Sequence, residues 1–346
     1  MRLGLLLRYA GELGGPRMDL VLEAERLGYT SVWAGESYGT DAVTPIAWVL
    51  ARTSRIKAGT GIMQIPARTP ACAAMTAATL QAMSNNRFLL GVGASGPQVV
   101  EGWHGVPYGK PLTRTKEYVA IVRKVFAREA PLQHNGEHYH IPYAGADASG
   151  LGKPLKSILH PNPDLKIYTA AISPAGLRTA GEVADGVQPF LMSPERTDII
   201  TEPVLEGRLA AGKGETLADF DIAPFVCVAM GKDLQACRDS IKPQMALYIG
   251  GMGARGKNFY NDYVKRLGYE AAAEKIQDAY LEGRRDEAIA AVPDSFIDET
   301  ALVGSPERIK ERLHVWKENA KDGKIGTMLL GGADIDALRV VAEAVF

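Results

Sequence analysis

From its first residues to its last, the chain alternates between short β-prone apolar runs and longer segments of helical period. That alternation is the strongest constraint on its fold. Residues 3–7 read as a strand and residues 16–27 as a helix with Leu20, Ala24 and Leu27 on one stripe, closed by Gly28. Strand–helix pairs follow at 30–34 and 45–52, at 56–60 and 70–83, and at 87–92 and 112–126. After an aperiodic block at 128–165 come strand 165–171 and helix 174–184, strand 186–191 and helix 194–211, and strand 222–230 and helix 233–247. A second irregular block at 250–300, Gly-rich and then helical, precedes a helix at 305–320, a last strand at 324–330 and a last helix at 334–345. Consecutive strand–helix units imply parallel strands joined by right-handed crossovers. Eight of them predict an α/β fold closed as a (β/α)8 TIM barrel with insertions, not an open sheet. No low-complexity linker divides the 346 residues, so 1–346 is expected to be one barrel domain with insertions at 128–165 and 250–300.

Composition narrows the function. Lys+Arg 39 against Asp+Glu 40 leaves a formal net charge of -1, without the basic surplus that phosphate backbones require, so no nucleic-acid partner is expected. No apolar run approaches the roughly 18 residues of a membrane span. The start, MRLGLLLRYAGELGG, is too short and too soon polar for a signal peptide. Cys72, Cys227 and Cys237 show no CxxC spacing, which disfavours a disulfide framework or structural zinc and fits a reducing cytoplasm.

Five helix starts read Ser/Thr-Pro: Thr44-Pro45, Thr69-Pro70, Ser173-Pro174, Ser193-Pro194 and Ser305-Pro306. The hydroxyl can cap free N–H groups while Pro takes the first helical position.

In a barrel, chemistry collects where strands end. The first strand ends in Arg8-Tyr9, the second in Gly35-Glu36-Ser37-Tyr38, the third in Gly59–Gln64, the fourth in Gly91–Gln98, the fifth in Ala170–Ser173 and the sixth in Gln188-Pro189-Phe190. There is no GxSxG nucleophile elbow. His134, His138 and His140 lack a helical frame for a metal, and no metal is expected. Glu36 reads equally as an orienting carboxylate or an ion-pair partner. His104 reads as a hydrogen-bonded structural histidine, and Trp33, Trp48, Trp103 and Phe259 as core residues before pocket residues. A face so poor in acid–base groups suits a flat cofactor that brings its own reactive atom. The glycines of 59–63 and 91–96 could admit it closely, although the latter string is no dinucleotide fingerprint.

At these residues the chain resembles the luciferase-like monooxygenase superfamily. It is more closely similar to deazaflavin (coenzyme F420)-dependent oxidoreductases of actinobacteria, such as those like methylenetetrahydromethanopterin reductase and glucose-6-phosphate dehydrogenase. The stretches SVWAGESYGTDAVTPIAWVLA, RIKAGTGIMQIPARTP, RFLLGVGASGPQVVEGWHG, GLGKPLK, AAISPAGLRTAGEVADG, YIGGMGARGKNFYND and LVGSPERI carry the resemblance in order. It implies a small-molecule oxidoreductase, homodimeric, with F420 at the C-terminal mouth. A non-proline cis peptide would fall at Gly61-Ile62, behind the ring. Met63 and Gln64 would border the ring, and Gly91, Gly93, Ala94 and Ser95 would meet it or its ribityl chain. Ala171, Ile172 and Ser173 would hold the phosphate at a helix start, and Arg255 and Lys257 the acidic tail.

Two departures matter. The acid–His pair expected after the second strand is Glu36-Ser37 here, and Ala94 stands where a Glu is expected. Alcohol oxidation needs a base for the proton, so reduction of an activated C=C, C=N, C=O or electron-poor aromatic fits better, with solvent, Glu36 or Tyr38 supplying the proton. The alternatives are an FMN-dependent monooxygenase with a separate flavin reductase, and a non-catalytic cofactor-binding barrel.

Overall fold

The protein is described here from a computed structural model, in which residues 1–7 and 15–346 are described; the expected first strand end, Arg8-Tyr9, lies outside them. The barrel strands are β1 (Arg2–Leu6), β2 (Ser31–Ala34), β3 (Lys57–Thr60), β4 (Phe88–Gly93), β5 (Ile167–Thr169), β6 (Gly186–Val187), β7 (Phe225–Met230) and β8 (Thr327–Gly331). The helices that wrap them are α1 (Met18–Leu27), α2 (Val43–Arg52), α3 (Pro70–Met83), α4 (Pro111–Ala127), α5 (Pro174–Val183), α6 (Asp198–Ala210), α7 (Leu234–Ala246) and α8 (Ile335–Val345). Every pairing in this sheet is parallel, in the order β6, β5, β4, β3, β2, β1, β8, β7. The ring closes through Asp221–Ile222, which pairs with β6 just before the chain continues into β7, and through a Phe190–Phe225 bridge. The alternation of strand and helix therefore does produce the (β/α)8 barrel.

The lumen is packed. Trp33, Leu89, Tyr168, Ala223 and Leu329 form one buried cluster inside it. Trp33 fits because β3 carries Gly59, whose Cβ would stand 2.7 Å from the Trp33 ring. Outside the ring, Ile46, Val49, Ala73, Ala77, Leu177, Val204, Ile241 and Leu338 bury the inner stripes of the helices. Each fully buried Leu, Ile or Val adds about 1.5–3 kcal/mol.

The caps are mixed. Thr69, Ser173 and Ser305 accept from Cys72 N, Gly176 N and Arg308 N, as their spacing suggests. Thr44-Pro45 does not open α2, because Asp41 Oδ1 accepts from Val43 N and Thr44 N and starts the helix two residues earlier. Ser193 accepts from Glu195 N only two residues on, forming a local turn, and α6 begins at Asp198.

The first irregular block holds a small hairpin, His134–Asn135 against His140–Ile141. The second begins with a π-helix, Leu247–Gly251, and continues through helices Phe259–Arg266, Glu270–Leu281, Arg285–Ala290 and Asp294–Thr300. Leu302–Gly304 then adds a strand beside the end of β7. No helix among the described residues is long and apolar enough to cross a membrane.

Candidate active site

The strand ends meet at one mouth, and its floor is a bulge. The Gly61-Ile62 peptide is cis, as the resemblance implies. Gly61 N donates to Ala34 O at 2.7 Å and Glu36 N to Ile62 O at 3.2 Å, which ties the bulge to the end of β2. Met63 and Gln64 then pair with Val92 and Gly93 of β4.

The glycines are required by packing. A Cβ on Gly91 would lie 1.9 Å from Thr60 O, one on Gly93 2.8 Å from the Ile62 side chain, and one on Gly61 3.2 Å from Trp33 Cβ. Their bareness lets the bulge seat against β4 and the lumen. Met63 is 1% exposed and packs in the core, so its side chain cannot border a ring at the mouth. The Gln64 side chain is buried too, and is committed to protein partners. Ala94 and Ser95 do line the mouth, half-buried, with Ser95 in the left-handed region at φ 62.

Glu36 is fully engaged. Its Oε1 accepts from Gln64 N at 2.8 Å and Arg68 Nη1 at 2.9 Å, and its Oε2 from Ala42 N at 2.9 Å. With its side chain 7% exposed and both oxygens filled, it holds the bulge and the β2–α2 loop in place. Together with a second Arg68 contact to Oε2 at 3.2 Å, four hydrogen bonds surround the carboxylate. Tyr38 stands 61% exposed on the rim.

Across the mouth, the loop after β5 presents Ala171, Ile172 and Ser173. Ser173 Oγ accepts from Gly176 N at 3.2 Å, capping α5. A narrow cleft of about 40 Å³ opens beside this helix start, between Gly93, Ala94, Thr169, Ala171 and Gly176. Thr169 Oγ1 is buried at this cleft with no hydrogen-bond partner.

Arg266 escaped the sequence reading, and Gln188, named there only as part of a strand end, was given no role. Arg266, from the second insertion, donates through Nη2 to Ile172 O at 2.7 Å and lies over the Tyr263 ring. Burial pushes its guanidinium below the usual arginine value. Nothing in the sequence marked it, since 94 residues separate the pair. Gln188, also buried, leaves both side-chain polar atoms without partners, with Oε1 facing the Cα atoms of Gly61 and Gly91 from the lumen. The two expected tail cations, Arg255 and Lys257, both lie exposed on the second insertion. Arg255 pairs with Asp278 at 2.8 Å and Glu282 at 3.6 Å on the surface, and the backbone N–H of Lys257 donates to Ala254 O in a tight turn that leaves its ammonium free of that bond.

Phe190, Tyr248 and Tyr260 stack edge-to-face, with the Phe190–Tyr248 and Tyr248–Tyr260 centroids both 4.8 Å apart. Trp33 is a lumen residue, while Trp48, Trp103 and Phe259 are exposed. Among the described residues no three His, Cys, Asp or Glu side chains converge as a metal site. His134 meets Glu117 at 3.3 Å, and Glu117 takes up N–H groups of residues 137–139.

The barrel mouth is thus framed by a bulged, cis-peptide third strand and a capped helix start. Residues 12–322 match the family described as luciferase-like monooxygenase, and the chain belongs to that family. It is 40% identical over 319 residues, 92% of both chains, to a Mycobacterium tuberculosis protein provisionally named a coenzyme F420-dependent oxidoreductase. It is 28% identical to the 5,10-methylenetetrahydromethanopterin reductase of Methanolobus tindarius, over 84% of this chain and 83% of that one. The coenzyme F420-dependent tetrahydromethanopterin reductase of Methanopyrus kandleri shares the fold at a TM-score of 0.77 and 20% identity, over 99% of this chain and 98% of that one.

Proposed function

We propose that the chain is an oxidoreductase in which coenzyme F420 passes a hydride to a small organic acceptor, an activated C=C, C=N or C=O or an electron-poor aromatic. One observation carries the reading: a helix start with an unpartnered Thr169 hydroxyl beside it faces a shelf with few acid–base groups. Such a site positions a reagent that carries its own reactivity. The names of the relatives support the same cofactor.

The residues fit this cofactor. A ribityl or phosphate oxygen beside α5 would satisfy the orphaned Thr169 hydroxyl and meet the positive end of the helix. Thr169, Ala171, Ile172, Ser173 and Gly176 would hold that end, with Arg266 as the nearby cation in place of Arg255. The bulge at Gly61 and Ile62 would back the ring, bordered by Ala94 and Ser95. When bound, F420 supplies a hydride-transferring carbon, C5. Glu36 and Arg68 keep the bulge rigid, so that donor and acceptor carbons are held near contact. The aromatic group of Phe190, Tyr248 and Tyr260 would wall off water on the acceptor side.

The reading extends to a cytoplasmic homodimer built on one barrel domain. α3 (PACAAMTAATLQAM) is apolar all round, and Met75, Met83 and Trp48 of neighbouring α2 are exposed. A helix apolar on every face is ordinarily covered.

Titration with oxidised F420 and, in parallel, FMN, followed by tryptophan fluorescence, tests the cofactor. Micromolar F420 binding with much weaker FMN binding is expected. The reverse order would move the chain to the flavin-dependent oxygenating branch.

A further inference from the structure

We propose that His104 is the proton-transferring residue of this mouth, held for that task by Gln64. The proposal rests on the reductive reading above and names the group that completes it. The orientation of the Gln64 amide is fixed. Gln64 Nε2 donates to Glu36 O at 3.1 Å, so its Oε1 faces the other way. There it meets His104 Nε2 at 2.5 Å. A carbonyl oxygen only accepts, so Nε2 of His104 must carry the hydrogen in both the neutral and the charged ring. Nδ1 is therefore the nitrogen that gains and loses a proton.

The clamp behind this pair is rigid. Gln64 is 1% exposed, its backbone N–H is held by Glu36 Oε1, and Arg68 pins Glu36 in turn. Gln64 also pairs with Gly93, next to the Ala94–Ser95 loop that borders the mouth. His104 itself is half-buried. The neighbouring charged groups are poorer candidates. Glu36 has no unused lone pair, Arg68 is held by Glu36 and lies 3.7 Å from Asp41, and Glu101 accepts from Tyr108 N.

The chemistry balances. Hydride from the reduced deazaflavin forms the new C–H bond as the acceptor's π bond breaks. The electron pair left on the second acceptor atom takes the proton from His104 Nδ1–H. The ring is left neutral, with its hydrogen on Nε2, and solvent reprotonates Nδ1.

Two measurements test this. The first needs no cofactor: long-range 1H–15N correlation of the imidazoles should assign the Nε2–H tautomer to neutral His104, and Gln64→Met should release that preference. A neutral ring with its hydrogen on Nδ1 overturns the proposal. The second uses F420H2 with a panel of 2-cyclohexen-1-one, menadione and a nitrofuran as acceptors. His104→Ala and His104→Gln should bind F420 as the parent chain does, yet turn over about 100-fold more slowly. Added imidazole should partly rescue His104→Ala, and the solvent deuterium isotope effect should change. Turnover of His104→Ala at the parent rate overturns the proton role alone. A parent chain that neither binds F420 nor oxidises F420H2 overturns the reductase reading and the proton role with it.

Discussion

Glu36 Oε1 and Arg68 Nη1 meet at 2.9 Å, and this ion pair joins the end of the second strand to the segment that leaves the third. Side-chain exposures of 7% and 22% put it largely out of water. Removing one partner strands the other, at a cost of about 3 kcal/mol. Glu36→Ala should therefore lower the denaturation midpoint and weaken F420 binding together. Calorimetry and fluorescence titration check this; unchanged stability would make the pair ornamental.

Gly91→Ala should be among the most damaging single-methyl changes in the chain. Its Cβ would sit 1.9 Å from a backbone carbonyl oxygen that cannot swing aside. A loss of about 3 kcal/mol or more is expected. Gly102→Ala, with nothing near its Cβ, is the matched control in thermal denaturation.

The carboxylate of Glu117 should make the 134–141 hairpin sensitive to acid. Burial alone would raise its pKa, but N–H groups of His138, Glu137 and Tyr139 outweigh this and hold it below the ordinary glutamate value. A lowered pKa contributes stability that is fully present above the unfolded value and is lost as pH falls through the folded one. Amide exchange in residues 134–141 should thus quicken below about pH 4 relative to the barrel strands. Glu117→Gln should remove most of that dependence.

The thiols should separate cleanly. Cys72 is exposed and Cys237 buried, while burial pushes the Cys227 thiol up to about 12. The thiolate is the reactive form. Iodoacetamide at pH 8 should modify Cys72 in the native protein and spare Cys227, as read by peptide mass mapping. Equal labelling of both would contradict the placement of Cys227.

Charging the bare face of α3 should separate protomers. Met75→Glu combined with Met83→Glu is expected to halve the mass measured by light scattering. A parent chain that is already monomeric would dispose of the dimer.

The barrel was legible because parallel strand–helix units repeat in sequence with their periodicity intact. What local pattern could not supply was the side-chain partner reached through space. Asp41, not Thr44, starts α2, since its carboxylate takes up Val43 N and Thr44 N and begins the helix ahead of the Thr44-Pro45 pair. Glycines at 61, 91 and 93 were visible as a requirement, but the sequence could not say whether a ligand or the neighbouring strand imposed it. Glu36 stood out at a strand end, but its four hydrogen bonds, to Gln64, Ala42 and Arg68, were not legible in the sequence. Arg266 and the Gln64–His104 link join residues 94 and 40 positions apart. No window of helical or strand period spans such distances.

Trp33 takes its place in the lumen by using space that a side chain at 59 would need, and Leu89 borders the same gap. Volume there is held in common by three strands. Residues 33, 59 and 89 are thus free to change as a set and constrained one at a time. Among related barrels, a side chain at the position of Gly59 should accompany a smaller residue at the position of Trp33, a correlated exchange that records the size of the shared interior.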